Sequence, residues 1–209
     1  GNDEKYCVIH VGPHKTGTTT LQSFVRKYGM DALRQDNYKL PVFPGENNGK
    51  LHHSNFAFCI SSTNIMNASS NSKCPKTYRD IMMDYFQSFV EDAANQGSNI
   101  LLSTEEFDRA ETNITEMTNV LIPQGYKIHA VVYYRRFYDW IHSWYNQITK
   151  SRWNGWNPNN DPFVQWLTND RLQEFQSSYS VAVYNRFMEA PGIFNVSLVN
   201  MHEDPDNFN

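Results

Sequence analysis

The chain has 209 residues, 40% of them hydrophobic and 19% charged, with a formal net charge of −4. This balance fits one folded domain with a sizeable core and excludes a disordered chain. The acidic sign argues against broad nucleic-acid binding, and no apolar run reaches the roughly 18 residues of a membrane span.

The first residues lead into a strand without a signal-peptide pattern. Val8, Ile9 and Val11 suit a buried parallel strand that ends at Gly12, and Thr18–Leu21 open a helix after Gly17. Amides at a new helix N-terminus point outward with partial positive charge, and Lys15 adds a full one, so the turn reads as an anion cradle. A nucleotide-binding P-loop reads G-x-x-x-x-G-K-[ST]. Gly12 and Gly17 have that separation, but Thr18 stands where the lysine belongs and Lys15 sits inside the loop. An ordinary ATPase or GTPase is therefore disfavoured.

Thr18–Tyr28 reads as a helix presenting Leu21, Phe24, Val25 and Tyr28 to a sheet, with Gly29 as its C-cap. Residues 36–50 read as an irregular loop, 51–61 as a short helix and 62–75 as an exposed polar excursion. The longest amphipathic helix is predicted over Tyr78–Ala94, with Ile81, Met82, Tyr85, Phe86, Phe89 and Val90 as its apolar stripe. A strand over Asn99–Thr104 precedes a helix over Thr112–Ile122 that opens on a cap-like Asn113–Glu116 segment. Strand Ile128–Tyr134, helix Tyr138–Thr149, a late helix over Ser178–Ala190 and strand Asn195–Met201 complete the order. Strands alternating with helices predict an α/β fold, a parallel sheet with helices on both faces. In such sheets ligands bind beyond the carboxyl ends of the strands, which directs attention to 12–20, 103–106 and 135–143.

Arg135 at a strand end and Ser143 eight residues later, about two helical turns on, are spaced to converge on one phosphate. The P-K-T-G-T-T-like string, with His14 after Pro13, resembles the 5′-phosphosulfate loop of sulfotransferases that use 3′-phosphoadenosine 5′-phosphosulfate (PAPS). The Arg135…Ser143 pair resembles that family's 3′-phosphate element, with Phe137 where the family carries proline. The match runs discontinuously from Tyr6 to about Asp204, ending at the VSLVNMHED strand and acidic pair. It stops short of the family's glycine- and arginine-containing loop, so over 1–209 a single sulfotransferase domain is expected that is either truncated at its C-terminus or holds the nucleotide differently.

The resemblance implies a P-loop-NTPase-like sulfotransferase fold in which His14, Lys15, Thr16, Gly17, Thr18, Thr19 and Thr20 cradle the phosphosulfate, and Arg135 and Ser143 hold the 3′-phosphate. PAPS would be the donor, adenosine 3′,5′-bisphosphate (PAP) the product, and no metal is required. The acceptor is a glycan first, then a protein tyrosine or a small alcohol or amine; no nucleic acid or membrane partner is implied. Lys15 would stabilise charge on the leaving phosphate, and a base at the strand end in LLSTEEF would take the acceptor's proton. Glu105 is the first choice and Glu106 the second, since adjacent strand-end residues point oppositely and one alone would face the site. His52, His53 and Glu46 are rivals. The other readings are an atypical P-loop kinase or NTPase, and a nucleotide-binding module without chemistry.

The aromatic-dense stretch of Trp144, Tyr145, Trp153, Trp156 and Trp166 is read either as core or as a stacking platform for a sugar, an aryl group or adenine. Cys7, Cys59 and Cys74 allow either a Cys59–Cys74 loop or three free thiols. Sequons at Asn67, Asn113 and Asn195 match the roughly three expected by chance. Occupied sequons and an oxidised pair would favour a Golgi-lumen enzyme acting on glycans over a cytoplasmic one.

Overall fold

Alternation within the strands decides which side of the sheet becomes the core. The computed structural model describes residues 4–44, 53–61, 76–109, 112–151, 162–168 and 176–202. Its five strands are β1 (Lys5–Val11), β2 (Tyr38–Lys39), β3 (Asn99–Thr104), β4 (Tyr126–Tyr134) and β5 (Ile193–Asn200). They pair in parallel in the order β2-β3-β1-β4-β5. The predicted α/β class with a parallel sheet is thus present; β3, β4 and β5 match their expected bounds within two residues, and β1 begins at Lys5, three residues before Val8. β2, only two residues long, carried no periodic signal.

Cys7, Ile9 and Val11 of β1 lie in register beside Ile100 and Leu102 of β3 and beside Ile128, Ala130 and Val132 of β4. All eight are fully buried on one face. Over that face pack α3 (Ser54–Ser61), α4 (Lys76–Asn95), α5 (Ile114–Leu121) and α8 (Ser180–Glu189), contributing Phe56, Phe86, Met117 and Phe187 to one core. An aromatic stack anchors α3 and α4, with Phe43 4.4 Å from Phe56 and Phe56 4.7 Å from Phe86. The α4 stripe is Met82, Phe86, Val90 and Ala93; the predicted member Ile81 is 52% exposed, because it falls on the outer edge of that stripe.

The opposite face carries α1 (Thr18–Phe24), a single π turn (Val25–Gly29) and α2 (Met30–Gln35). Helices do lie on both faces, but the two sides are unequal: Val8, Leu101, Val131 and Tyr133 stay partly exposed along a groove of about 200 Å³ under Leu21, Gln22 and Val25. The phase of α1 also differs from expectation. Its sheet-facing stripe is Thr18, Leu21, Gln22 and Val25, whereas Phe24 and Tyr28 point outward and contact each other at 5.2 Å. Two polar anchors set this phase: Thr18 Oγ1 donates to Gly12 O, and the Gln22 amide donates to Ser103. Gly29 does not cap the helix; its φ of −98° lets the helical path continue into α2.

A second aromatic cluster joins α6 (Phe137–Ser151) to α7 (Phe163–Thr168) through buried Trp140, Trp144 and Trp166. Trp144 and Trp166 are therefore core residues, while Trp153 and Trp156 lie outside the described residues. The helix expected at 51–61 begins at Ser54, and residues 62–75 lie outside the described residues. Burial predicts that Phe86→Ala costs about 3–5 kcal/mol in urea denaturation, whereas Ile81→Ala costs less than about 1. Equal losses would contradict the assignment of the α4 stripe.

Candidate functional site

β1 is the central strand, and the chain crosses over it between β3 and β4. The carboxyl ends of β1, β3 and β4 therefore lie side by side, at the kind of switch point where α/β sheets bind ligands. Each of these ends supplies one of the three segments singled out in the sequence.

The loop after β1 is tightly built. Thr18 Oγ1 donates to Gly12 O at 3.1 Å, and a Cβ added to Gly12 would meet that hydroxyl at 1.9 Å, so only glycine fits. Thr16 turns both its amide and its hydroxyl onto Pro13 O, at 3.0 and 2.6 Å. Lys15 and Gly17 adopt left-handed φ values of 71° and 74°. For a lysine that conformation is unfavourable and persists only where surrounding contacts enforce it. Those contacts come from both sides of the loop: Arg135 donates to the Lys15 carbonyl at 2.6 Å, and the Lys15 ammonium donates to Gln147 Oε1 at 2.7 Å. Burial pulls the lysine below its ordinary pKa, helped by nearby Lys150 and opposed by Glu105. Thr19 and Thr20 are exposed at the start of α1.

On the β3 side the chain turns immediately after Thr104 into a short 3₁₀ segment, Glu105–Asp108, capped by the Thr104 hydroxyl. This turn corrects the expectation that strand alternation would aim only one glutamate inward. Glu105 Oε1 and Glu106 Oε1 both lie 3.9 Å from His14 Nε2, because a helical turn clusters neighbours that a strand would separate. The other oxygen of Glu106 binds Arg109 Nε at 2.6 Å. Asp108, fully buried, accepts from both the backbone amide and the Nδ1 side of His14, each at 2.7 Å. Burial disfavours the imidazolium, but the Asp108 hydrogen bond and the charges of Asp108, Glu105 and Glu106 outweigh it and hold His14 above its ordinary 6.5.

On the β4 side, α6 presents Trp140, Trp144 and Gln147 to the loop along one helical face. Trp140 Nε1 donates to His14 O at 2.8 Å, the Trp144 ring stacks on His14 at 5.3 Å, and Gln147 receives Lys15. Ser143 lies half-buried one residue before Trp144 on this helix.

Of the predicted residues, His14, Lys15, Glu105, Glu106 and Arg135 come together around this loop. Thr16 and Thr18 have their hydroxyls turned onto the loop's own backbone, where they shape it. His53 is a buried brace, accepting from Ser103 N at 2.9 Å with its other ring nitrogen 3.1 Å from Pro41 O, so both its ring nitrogens are committed to the backbone. His52 and Glu46 lie outside the described residues. Cys59 is disulfide-bonded and Cys7 is a free, buried thiol; Cys74 lies outside the described residues, as does Asn67. Asn113 serves as the N-cap of α5, accepting from Glu116 N. Sequence reasoning missed Asp108, Trp140 and Gln147. The helical spacing of 140, 143/144 and 147 was a usable signal for the last two. The only clue to Asp108 was an acidic residue within a turn of the strand end.

No protein-family profile matches the chain, and no curated protein matches it. Among solved structures, one from the PezAT chromosomal toxin–antitoxin system of Streptococcus pneumoniae is similar, with 11% identity and a TM-score of 0.44 over 97% of this chain and 71% of that chain. At that level the likeness bears on neither family nor function.

Because the folded pKa of His14 is raised, the stability it contributes is complete below the ordinary value of 6.5 and is lost as pH rises through the folded value. Asp108→Asn is expected to lower the His14 pKa in an NMR titration. The stability gap between wild type and variant should shrink as pH rises above the ordinary value of 6.5 and through the raised folded value. A gap independent of pH would show that Asp108 gives the imidazolium no selective support.

Proposed function

We propose that this chain is a PAPS-dependent sulfotransferase domain of P-loop-like fold. The observation that carries the reading is the hydrogen bond from Arg135 to the Lys15 carbonyl, which joins two elements that resemble phosphate-binding segments of one nucleotide. A glycine-bounded loop with an inward lysine, at the end of the central strand, also fits an anionic donor. Lys15, Gly17, Thr19 and Thr20 would hold the phosphosulfate, shaped by Thr16 and Thr18 and flanked by His14. Arg135 and Ser143 would hold the 3′-phosphate.

In the reaction an acceptor hydroxyl or amine attacks sulfur in line while the bond from sulfur to the bridging phosphate oxygen breaks. Lys15 stabilises the charge that develops on that oxygen, and its depressed pKa reflects an environment in which a cation is poorly hydrated and gains from an anionic partner. Glu105, the less buried of the two glutamates and without an arginine partner among the described residues, accepts the acceptor's proton. The products are PAP and a sulfated acceptor. The disulfide at Cys59 favours an oxidising compartment and with it a secreted glycan or protein acceptor.

Calorimetry of PAP against ATP, with and without magnesium, tests the donor class. Metal-free binding of the bisphosphate is expected; magnesium-dependent ATP binding in its place would indicate a kinase or NTPase instead. Lys15→Ala should lower sulfuryl transfer from PAPS by about a hundredfold or more, and near wild-type turnover would dismiss the loop's assignment. If wild type binds PAP but sulfates none of a panel of glycan, tyrosine-peptide and alcohol acceptors, the chain is a binding module.

A further inference from the structure

The side of the loop that faces β3 has a chemistry that an anion cradle does not use. His14 Nε2, Glu105 Oε1 and Glu106 Oε1 all lie within 4.8 Å of one another. The two carboxylate oxygens each stand 3.9 Å from the imidazole nitrogen, too far for a hydrogen bond. Ligands about 2.1 Å from a tetrahedral ion stand roughly 3.4 Å apart, so each glutamate oxygen would close on the imidazole by about half an ångström, and the two glutamate oxygens on each other by up to about 1.4 Å, to reach a shared metal. The remaining atoms of these groups are already committed in the manner of metal ligands. Asp108 holds His14 on its Nδ1 side, which leaves Nε2 directed at the glutamates, and Arg109 takes the second oxygen of Glu106, which leaves Oε1 open.

Charge supplies a second, independent reason. Asp108 is fully buried, and its Oδ1 has no hydrogen-bond partner among the described residues. Three carboxylates thus converge on one imidazole; among the described residues Arg109 is the one cation bonded to them, and Lys15 acts on Glu105 only through space. Buried negative charge in excess is costly unless a cation offsets it.

We propose that His14, Glu105 and Glu106 form a site for a divalent first-row transition ion such as Zn²⁺ or Mn²⁺, with Asp108 as the outer support of the histidine. One imidazole and two carboxylates suit borderline ions over calcium, and three protein ligands leave a position for water or a substrate oxygen. The site does not depend on the sulfuryl-transfer reading. If both hold, the ion takes the Glu105 lone pair that would accept the acceptor's proton, so ion binding and transfer exclude each other. Occupancy then switches the enzyme off.

The test is titration of the metal-free chain, without nucleotide, using Zn²⁺ in calorimetry and Mn²⁺ in electron paramagnetic resonance. Tryptophan fluorescence is followed in parallel, since Trp144 stacks on His14. One ion per chain is expected, with Mn²⁺ quenching the emission. Asp108→Asn should weaken binding by about ten- to a hundredfold. His14→Asn should abolish it, but His14 also anchors the loop, so the deciding variant is Glu105→Gln, which is isosteric and only half-buried. A folded Glu105→Gln chain that binds as tightly as wild type would overturn the site, as would the absence of saturable binding of one ion per wild-type chain.

Discussion

The buried carboxylate of Asp108 ties the end of the central strand to the end of its neighbour. It accepts two hydrogen bonds from a single residue, His14, one from the main chain and one from the ring. Doubling the contact fixes both the path of the loop and the direction of the imidazole. Lys15 follows directly and is turned into a left-handed conformation, its carbonyl toward Arg135 and its ammonium toward Gln147. The functional arrangement thus depends on strand ends being bound to one another through side chains, since the loop has no regular backbone pairing of its own.

Sheet topology makes that binding possible. With β1 between β3 and β4, the three carboxyl ends are neighbours about 4.8 Å apart in succession. Polar residues near 14, 105 and 135 therefore meet although up to 120 residues separate the hydrogen-bonded members. The helix after β4 adds a rigid wall, with Trp140 and Trp144 anchored in an aromatic cluster of their own and still contacting His14. A loop that must hold a strained lysine gains from walls that cannot relax.

The same molecule has one complete face and one partial face. Apolar side chains from four helices seal the first, and polar anchors at Thr18 and Gln22 set the helix on the second. Hydrophobic periodicity therefore predicted α4 well and α1 poorly. On α4 burial chooses the phase; on α1 hydrogen bonds to Gly12 and Ser103 choose it, and the apolar Phe24 and Tyr28 are left outside.

The sequence by itself determined the order of the four longer strands and of the helices between them except α2 and α7, the parallel class of the sheet, and the placement of Lys15, Glu105 and Arg135 at strand ends. These follow from local patterns: apolar runs, a glycine-bounded turn and helical spacing. It could not determine which side chains would face one another there. Strand alternation predicted that one glutamate points inward; a 3₁₀ turn brought both to His14. Nothing local distinguishes Asp108 from any other acidic turn residue, because its role arises only when β1 lies beside β3. The tertiary structure alone made that contact, since it depends on hydrogen-bond pairing between strands about ninety residues apart.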